Sequence, residues 1–284
     1  MKTWSETLEP FDFTSTYKVE RVLHEERSEF QHIFLFENAV MGRVLTLDGV
    51  VQTAEKDEFC YHEMIVHVPI LAHGKARRVL VLGGGDGGAV EEVFKHQDVE
   101  RATLVDIDRT VIDLSKRYLS AISGDAFDDP RLELLIADGC RFVAETDARY
   151  DVIIVDSPDP IGPGAALFTS EFYANCRRCL TPGGVLVTQN GVPFKQQTEL
   201  RDSMTALASL FADARCYLTH VPIYIGGAMA LGWASDDTAL WRTPLETLTS
   251  RFEKSAIDTR YYSPAVHQAS FVLPRYIEEL TVTS

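Results

Sequence analysis

The sequence has few cysteines, a deficit of basic residues and no long apolar run. Its 284 residues include 5 cysteines, an odd number without the spacing of a disulfide framework, so we expect reduced thiols and a cytoplasmic protein. Lys and Arg number 27 against 42 Asp and Glu, a formal net charge of −15, which argues against binding nucleic acid or an anionic membrane and favours a cationic small substrate. No apolar run approaches the ~18 residues of a membrane helix, and no signal segment is apparent near the start.

The first 55 residues have the pattern of strands. The composition, 45% hydrophobic and 24% charged, is that of a globular protein. Partly alternating segments rich in β-branched and aromatic residues predict strands at 17–24, 29–37 and 40–47. Asp48-Gly49 is a strong hairpin signal, and the spacing over 57–73 predicts a helix. We therefore predict a small antiparallel β domain over residues 1–55.

From residue 78 onward, short apolar strands alternate with helical segments. The pattern predicts strands at 79–82, 102–106, 132–136, 152–155 and 185–188, with helices at 89–96 and 109–118. Later strands are predicted at 215–217 and 229–234, where an antiparallel direction stays open. Strands that are apolar on both faces are typical of a parallel sheet covered by helices on both sides. We predict an α/β, Rossmann-like, doubly wound domain over residues 56–284.

A glycine-rich loop follows the first of these strands. Gly83, Gly85 and Gly88 match G-x-G-x-x-G, in which the lack of Cβ atoms allows a tight turn and a close ligand. Asp106 ends the next strand, where a carboxylate can bind a ribose diol. The pair fits a nicotinamide dinucleotide or an S-adenosyl sulfonium compound. Asp86, inside the loop, would repel a pyrophosphate and attract a cation, so the sulfonium compound is favoured.

Further acids follow the third and fourth strands of this domain. Asp138 precedes Gly139 at a position suited to a helix N-cap or to an adenine amino group. Asp156 and Asp159 belong to a segment whose prolines and glycines prevent a regular helix. Together with Asp86, they would bring three carboxylates to one sheet edge, which is costly unless a cation joins them.

The cation at this edge is either a metal ion or a polyamine. The acids match no dedicated metal loop, and His62 and His67 are five residues apart, on different faces of a helix. We therefore expect no metal and favour an amine, whose ammonium groups need several carboxylates.

At this point the sequence resembles the spermidine synthases, the polyamine aminopropyltransferases. The resemblance spans nearly the whole chain, and the segments that carry it are Trp4, the strands of 17–36, and residues 47–64, 82–88, 159–173 and 260–271. It implies an N-terminal β domain on a Rossmann-like, methyltransferase-type fold, and a homodimer. It also implies transfer of an aminopropyl group to putrescine. The donor would be decarboxylated S-adenosylmethionine, which is a co-substrate, and no cofactor is expected. The products would be spermidine and methylthioadenosine.

The resemblance also implies roles for individual residues. Residues expected at the thioadenosine part of the donor are Gln31, Asp106, Asp138, Gly139 and Pro163, beside the loop glycines Gly83 and Gly85. Gln52 is expected near the aminopropyl arm, and His62 and Asp86 are expected at the amine groups. Residues expected around the acceptor are Tyr61, Asp156, Asp159, Tyr224 and Gln189. Asp156 would be the proton acceptor, and Tyr61 would relay the proton or orient the groups.

The chain departs from the family pattern in three places. Asp106 stands where the family often has Glu, Ile223 precedes Tyr224 where Thr is common, and Ala165-Ala166 replaces a more polar pair. The last two lie at the acceptor slot, so another diamine such as cadaverine is an alternative acceptor. Three different functions also stay open on these residues: a diamine N-methyltransferase, a nicotinamide-dependent dehydrogenase and a non-catalytic polyamine-binding module.

Overall fold

The N-terminal part contains two antiparallel sheets. The computed structural model describes residues 2–8, 13–160 and 162–281, without the side chains of residues 8, 162 and 163. Strands β1 (Lys2–Leu8) and β2 (Phe13–Val19) form a pair. The second sheet has the order β3-β4-β5-β6, with bounds Arg21–Arg27, His32–Asn38, Gly42–Leu47 and Val50–Ala54. The small antiparallel part that the sequence predicts is confirmed.

Local hydrogen bonds explain where these strands differ from the predicted ones. The predicted strand 17–24 is two strands of different sheets, divided at Glu20. The strand predicted from residue 29 begins at His32, because the Ser28 hydroxyl accepts the amides of Phe30 and Gln31 and closes a turn. The hairpin is confirmed, since Asp48 and Gly49 have φ of 47° and 82°, as a type I′ turn requires.

A seven-stranded sheet forms the larger part of the molecule. Its strands are β7 (Arg78–Gly83), β8 (Arg101–Asp106), β9 (Leu132–Ile136), β10 (Tyr150–Asp156), β11 (Leu180–Gln189), β12 (Asp213–Thr219) and β13 (Met229–Ser235). The order is β12-β13-β11-β10-β7-β8-β9, and β13 runs antiparallel to both of its neighbours. The chain order reverses between β7 and β10, which is where open α/β sheets bind ligands.

Helices cover both faces of this sheet. They are α1 (Phe59–His73), α2 (Gly88–Lys95), α3 (Arg109–Tyr118), α4 (Ser120–Ser123), α5 (Gly139–Glu145), α6 (Ser170–Arg178), α7 (Gln197–Leu210), α8 (Leu245–Ser255), α9 (Pro264–Ser270) and α10 (Arg275–Thr281). Short 3₁₀ turns lie at Ala126–Asp128, Gly162–Phe168 and Leu240–Arg242. Within the described ranges, none of the helices has the length and hydropathy needed to cross a bilayer.

Alternating strand residues divide the core into two layers. On β7, Val79 and Val81 belong to the layer of α1 and α2, whereas Leu80 and Leu82 belong to the layer of α6 and α7. A third cluster, which includes Ile33 of β4 and Leu114 of α3, joins the N-terminal sheet to the helices α3 and α4. The doubly wound α/β fold is confirmed, and the domain boundary at 55/56 stays a prediction.

Candidate active site

Four strands of the large sheet end at one place. Gly83, Asp106, Asp156 and Gln189 are the last residues of β7, β8, β10 and β11. Because these strands are parallel and adjacent around the point where the chain order reverses, their carboxyl ends face one crevice. The predicted site residues of the large sheet thus gather at one edge.

The glycine loop packs directly against the acids of the neighbouring strands. Gly83 has a φ of 79°, and a Cβ there would lie 2.2 Å from the carbonyl oxygen of Asp156. A Cβ on Gly85 would lie 2.7 Å from Oδ2 of Asp106. Side chains at these positions would therefore push the two acids out of place. Burial raises the pKa of the Asp106 carboxyl to about 6.

The N-terminal sheet reaches the site through Gln31. Its Nε2 donates to Oδ2 of Asp108 at 2.9 Å, and Oδ1 of Asp108 accepts the amide of Thr110 and caps α3. The amide of Asp108 in turn donates to Oδ1 of Asp106 at 2.8 Å. Asp108 was not among the predicted residues, although an acid directly before a helix is the usual N-cap signal.

Asp138 and Gly139 lie at the start of α5. Oδ1 of Asp138 accepts the amides of Cys140 and Arg141 at 2.8 and 3.3 Å, so the N-cap role is observed. This fixes the side chain and leaves Oδ2 as a second acceptor. Pro163 belongs to the 3₁₀ turn over 162–168, and the prediction for its side chain lies outside the described part of the structure.

Tyr61 and Asp156 are in direct contact. The Tyr61 hydroxyl donates to Oδ1 of Asp156 at 2.6 Å, although the two residues are 95 positions apart. Burial and the charge of Asp86 raise the pKa of Asp156 to about 6, although the cation of His62 acts in the opposite direction. Asp156 is therefore an ionised base at neutral pH that takes up a proton more readily than an ordinary aspartate.

His62 lies between two carboxylates. Its Nδ1 is 2.7 Å from Oε2 of Glu58 and its Nε2 is 3.5 Å from Oδ2 of Asp86, with 2% of the residue exposed. Burial by itself lowers the pKa of His62, but Asp86 and Glu58 outweigh this and hold the pKa well above its usual value. The ring is thus an imidazolium, which stabilises its neighbours as anions.

Asp86 is held in place from several sides. Its Oδ1 accepts the amide of Gly88 at 2.9 Å, and the nearby Thr53 side chain helps to lower the pKa of the same carboxylate. Burial alone raises the pKa of Asp86, whereas the charge and hydrogen bond of His62 bring it below its usual value. A Cβ on Gly88 would lie 2.2 Å from Cε1 of His62, so this glycine allows the ring to reach Asp86.

Four further predicted residues are joined in pairs by hydrogen bonds. Nε2 of Gln189 donates to Oδ1 of Asp159 at 3.1 Å, and the Tyr224 hydroxyl donates to the backbone carbonyl of Gln52. Burial and the nearby acids, Asp156 and Asp86 first, raise the pKa of Tyr224 well above its usual value. Asp57, which was not predicted, accepts the amide of Ile223 at 2.7 Å and so fixes the turn that carries Tyr224.

The centre of the site suits an organic cation. Within the described ranges, His62, Asp86 and Asp156 each bring one ligand-type atom within 4.8 Å of the others. At that separation the two carboxylates repel by about 3 kcal/mol at an effective dielectric constant of ~20. Both ring nitrogens of His62 already face carboxylate oxygens, Nδ1 that of Glu58 and Nε2 that of Asp86, so we do not identify these residues as metal ligands. The carboxylates retain acceptor oxygens for ammonium groups.

Glu58 is the residue of the site that sequence reasoning missed most clearly. The available signal was the E-x-x-x-H spacing of Glu58 and His62, which places both side chains on one face of a helix.

Comparisons with known proteins agree with this geometry. Residues 58–243 match the spermine/spermidine synthase domain, and residues 3–55 match the spermidine synthase tetramerisation domain. Polyamine aminopropyltransferase 1 of Pseudomonas aeruginosa is 56% identical over 98% of this chain and 96% of that protein. The polyamine aminopropyltransferase of Escherichia coli O1:K1 is 49% identical, again over 98% of this chain and 96% of that protein.

Solved structures lead to the same family. A spermidine synthase in complex with the transition state analogue AdoDATO superposes with a TM-score of 0.93 and 36% identity, covering 99% of this chain and 94% of that one. The spermidine synthase from Thermotoga maritima gives a TM-score of 0.92 at 36% identity and the same coverage. The chain therefore belongs to the spermine/spermidine synthase family.

Proposed function

We propose that this chain is a polyamine aminopropyltransferase that makes spermidine and methylthioadenosine from putrescine and decarboxylated S-adenosylmethionine. The observation that carries the proposal is the contact of Tyr61 with Asp156, beside Asp86 and the imidazolium of His62. The names of the relatives and the transition state analogue bound by the structural neighbour support the same reaction.

The reaction is an in-line displacement at the carbon next to sulfur. The amine nitrogen forms the new C–N bond, the C–S bond breaks, and its electron pair stays on sulfur, which becomes the neutral thioether of methylthioadenosine. The sulfonium needs no acid to leave, so the task of the protein is to supply a neutral amine. An alkylamine with a pKa near ~10 is only about 0.1% neutral at pH 7, a cost of about 4 kcal/mol.

Asp156 is the proposed proton acceptor. As a carboxylate, it takes the proton that the nitrogen loses and stabilises the positive charge that grows there. Tyr61 holds Oδ1 of this carboxylate, and Oδ2 is the oxygen left for the amine. The remaining acceleration comes from alignment of the amine with the carbon, for which Asp159 and Tyr224 would hold the far end of the diamine.

Asp86 is the proposed selector of the donor. It is an anion beside the glycine loop, where the amine of the aminopropyl group would lie. Intact S-adenosylmethionine carries a carboxylate at that end and would be repelled. This repulsion argues against a diamine N-methyltransferase. The matches to the spermine/spermidine synthase domain and to an aminopropyltransferase argue against it as well. On the donor side, Gln31, Asp106 and Asp138 are proposed to bind the thioadenosine.

Three further statements belong to this proposal. The reaction balances without a cofactor, so we propose that decarboxylated S-adenosylmethionine is a co-substrate and that no cofactor is needed. We propose a homodimer in the cytoplasm; the tetramerisation-domain match supports an oligomer in general. Putrescine is proposed over cadaverine because the similar solved structures are spermidine synthases, although Ile223 and Ala165-Ala166 depart from the family pattern near the acceptor.

Product analysis tests the proposal. Purified protein is incubated with either decarboxylated or intact S-adenosylmethionine and with putrescine, cadaverine or diaminopropane, and the products are separated by chromatography and mass spectrometry. We expect spermidine and methylthioadenosine from putrescine and the decarboxylated donor. Methylputrescine as the sole product would refute the reaction, and faster turnover of cadaverine would refute the acceptor.

A further inference from the structure

Glu58 lies at the start of α1 but does not cap it. Its position is the N-cap, yet in the described part of the structure its side chain makes no capping hydrogen bond. Oε2 instead lies 2.7 Å from Nδ1 of His62, one turn further along the helix. The other nitrogen of the ring is directed at Asp86. Glu58 therefore reaches the reacting groups only through His62.

The surroundings of His62 are strongly acidic. Charged groups face the ring from its own helix, from the glycine loop, from α2 and from the end of β10: Asp57, Glu58, Asp86, Glu92 and Asp156. The ring is buried, so solvent screens these charges weakly. Of these acids, Glu58 has the shortest contact with the ring, 2.7 Å against 3.5 Å for Asp86.

We propose that Glu58 is a positioning residue for aminopropyl transfer, which acts through His62 to keep a fixed cation beside Asp86 and Asp156. With this cation in place, two carboxylates 4.8 Å apart or closer can both stay ionised. One of them can then bind an ammonium group while the other accepts a proton. The inference rests on the proposed function, since it assigns Glu58 a task in that reaction.

The variant Glu58→Gln tests the role of the charge. The amide oxygen can still accept the Nδ1 proton, so the contact remains while the negative charge is lost. Without this negative charge, His62 holds its proton less tightly, and a proton shifts to the carboxylates of Asp86 and Asp156. We expect kcat/KM to fall at least tenfold at pH 7 and to stay within threefold of wild type at pH 9, where the carboxylates ionise without help.

Two comparisons separate this role from a structural one. Glu246→Gln removes one negative charge from the exposed start of α8 and should leave kcat/KM unchanged at pH 7 and at pH 9. If Glu58 acts only through His62, Glu58→Gln should have no further effect in a His62→Asn background. An equal loss at pH 7 and pH 9, or an undiminished loss in the His62→Asn background, would overturn the proposal.

A direct measurement covers the case in which His62→Asn does not fold. In protein with ¹⁵N-labelled histidine, the ring nitrogens report the protonation of His62. We expect the imidazolium to persist to higher pH in the wild type than in Glu58→Gln. A ring that titrates alike in both proteins would refute the inference. Absence of spermidine from wild-type reactions would instead refute the proposed function and leave this readout intact.

Discussion

Replacement of Asp156 by Asn should separate activity from stability. Asn has nearly the same shape, and its Oδ1 can still accept the hydrogen bond of Tyr61. It can no longer take a proton from the amine. The variant therefore removes the proposed base while keeping the contacts around it.

The loss of rate follows from the cost of a neutral amine. Without a base, the enzyme must use the roughly 0.1% of diamine that is neutral at pH 7, a cost of about 4 kcal/mol. General bases contribute about 10²–10⁴-fold, the same range. We expect turnover to fall at least ~100-fold.

The effect on stability has the opposite sign. The pKa of Asp156 is raised from 3.8 to about 6 in the folded protein. A raised carboxyl pKa favours folding below 3.8, and this contribution is lost as pH rises through about 6. At pH 7.5 the ionised side chain thus destabilises the fold. The rise from 3.8 to about 6 corresponds to at most about 3 kcal/mol, at ~1.4 kcal/mol per pKa unit. The actual cost is smaller because solvent reaches the half-buried carboxylate. We expect the Asn variant to be as stable as wild type or more so.

Three measurements check these expectations. Steady-state rates with decarboxylated S-adenosylmethionine and putrescine give the loss of turnover, urea unfolding at pH 7.5 gives the free energy of unfolding, and calorimetry with methylthioadenosine shows whether the donor side is intact. Unchanged turnover would refute Asp156 as the base. A variant destabilised by more than ~1 kcal/mol would refute the reasoning about its burial.

Three further predictions concern the same region. Glu63 accepts backbone amides of residues 260–262 at 2.7, 2.8 and 2.7 Å and is 1% exposed, so Glu63→Gln should lower the free energy of unfolding by about 2 kcal/mol, measured in urea. Gly88→Ala would place a methyl group 2.2 Å from the ring of His62 and should lower turnover at least tenfold; wild-type rates would show that the ring need not stay there. Turnover with saturating substrates should rise with pH through about 6, as Asp156 ionises, and a profile that is flat from pH 5 to 7 would contradict this.

Much of the fold could be predicted from local patterns. The strand, glycine loop and helix around residues 79–96 follow from apolar runs and from glycines, which alone adopt such turns without strain. The hairpin at Asp48-Gly49 follows from its turn chemistry. Since the carboxyl ends of neighbouring parallel strands share an edge, the acids at 106 and 156 could also be assigned to one site.

Other features depend on how distant elements pack. The break at Glu20 could not be predicted, because residues 17–24 have one continuous strand pattern and the division arises from pairing with two different partners. The contact of Tyr61 with Asp156 depends on α1 lying across the sheet, and local spacing carries no information on that packing.

The sequence by itself therefore determined most strands of the large sheet, the hairpin, the sheet edge and the chemical class of the site, because periodicity and turn chemistry act over a few residues. Only the tertiary structure decided the charge pattern at the centre. Burial by itself disfavours the cation of His62, which exists because the charges of Asp86 and Glu58 outweigh burial, and the packed molecule alone brings Asp86 to the ring.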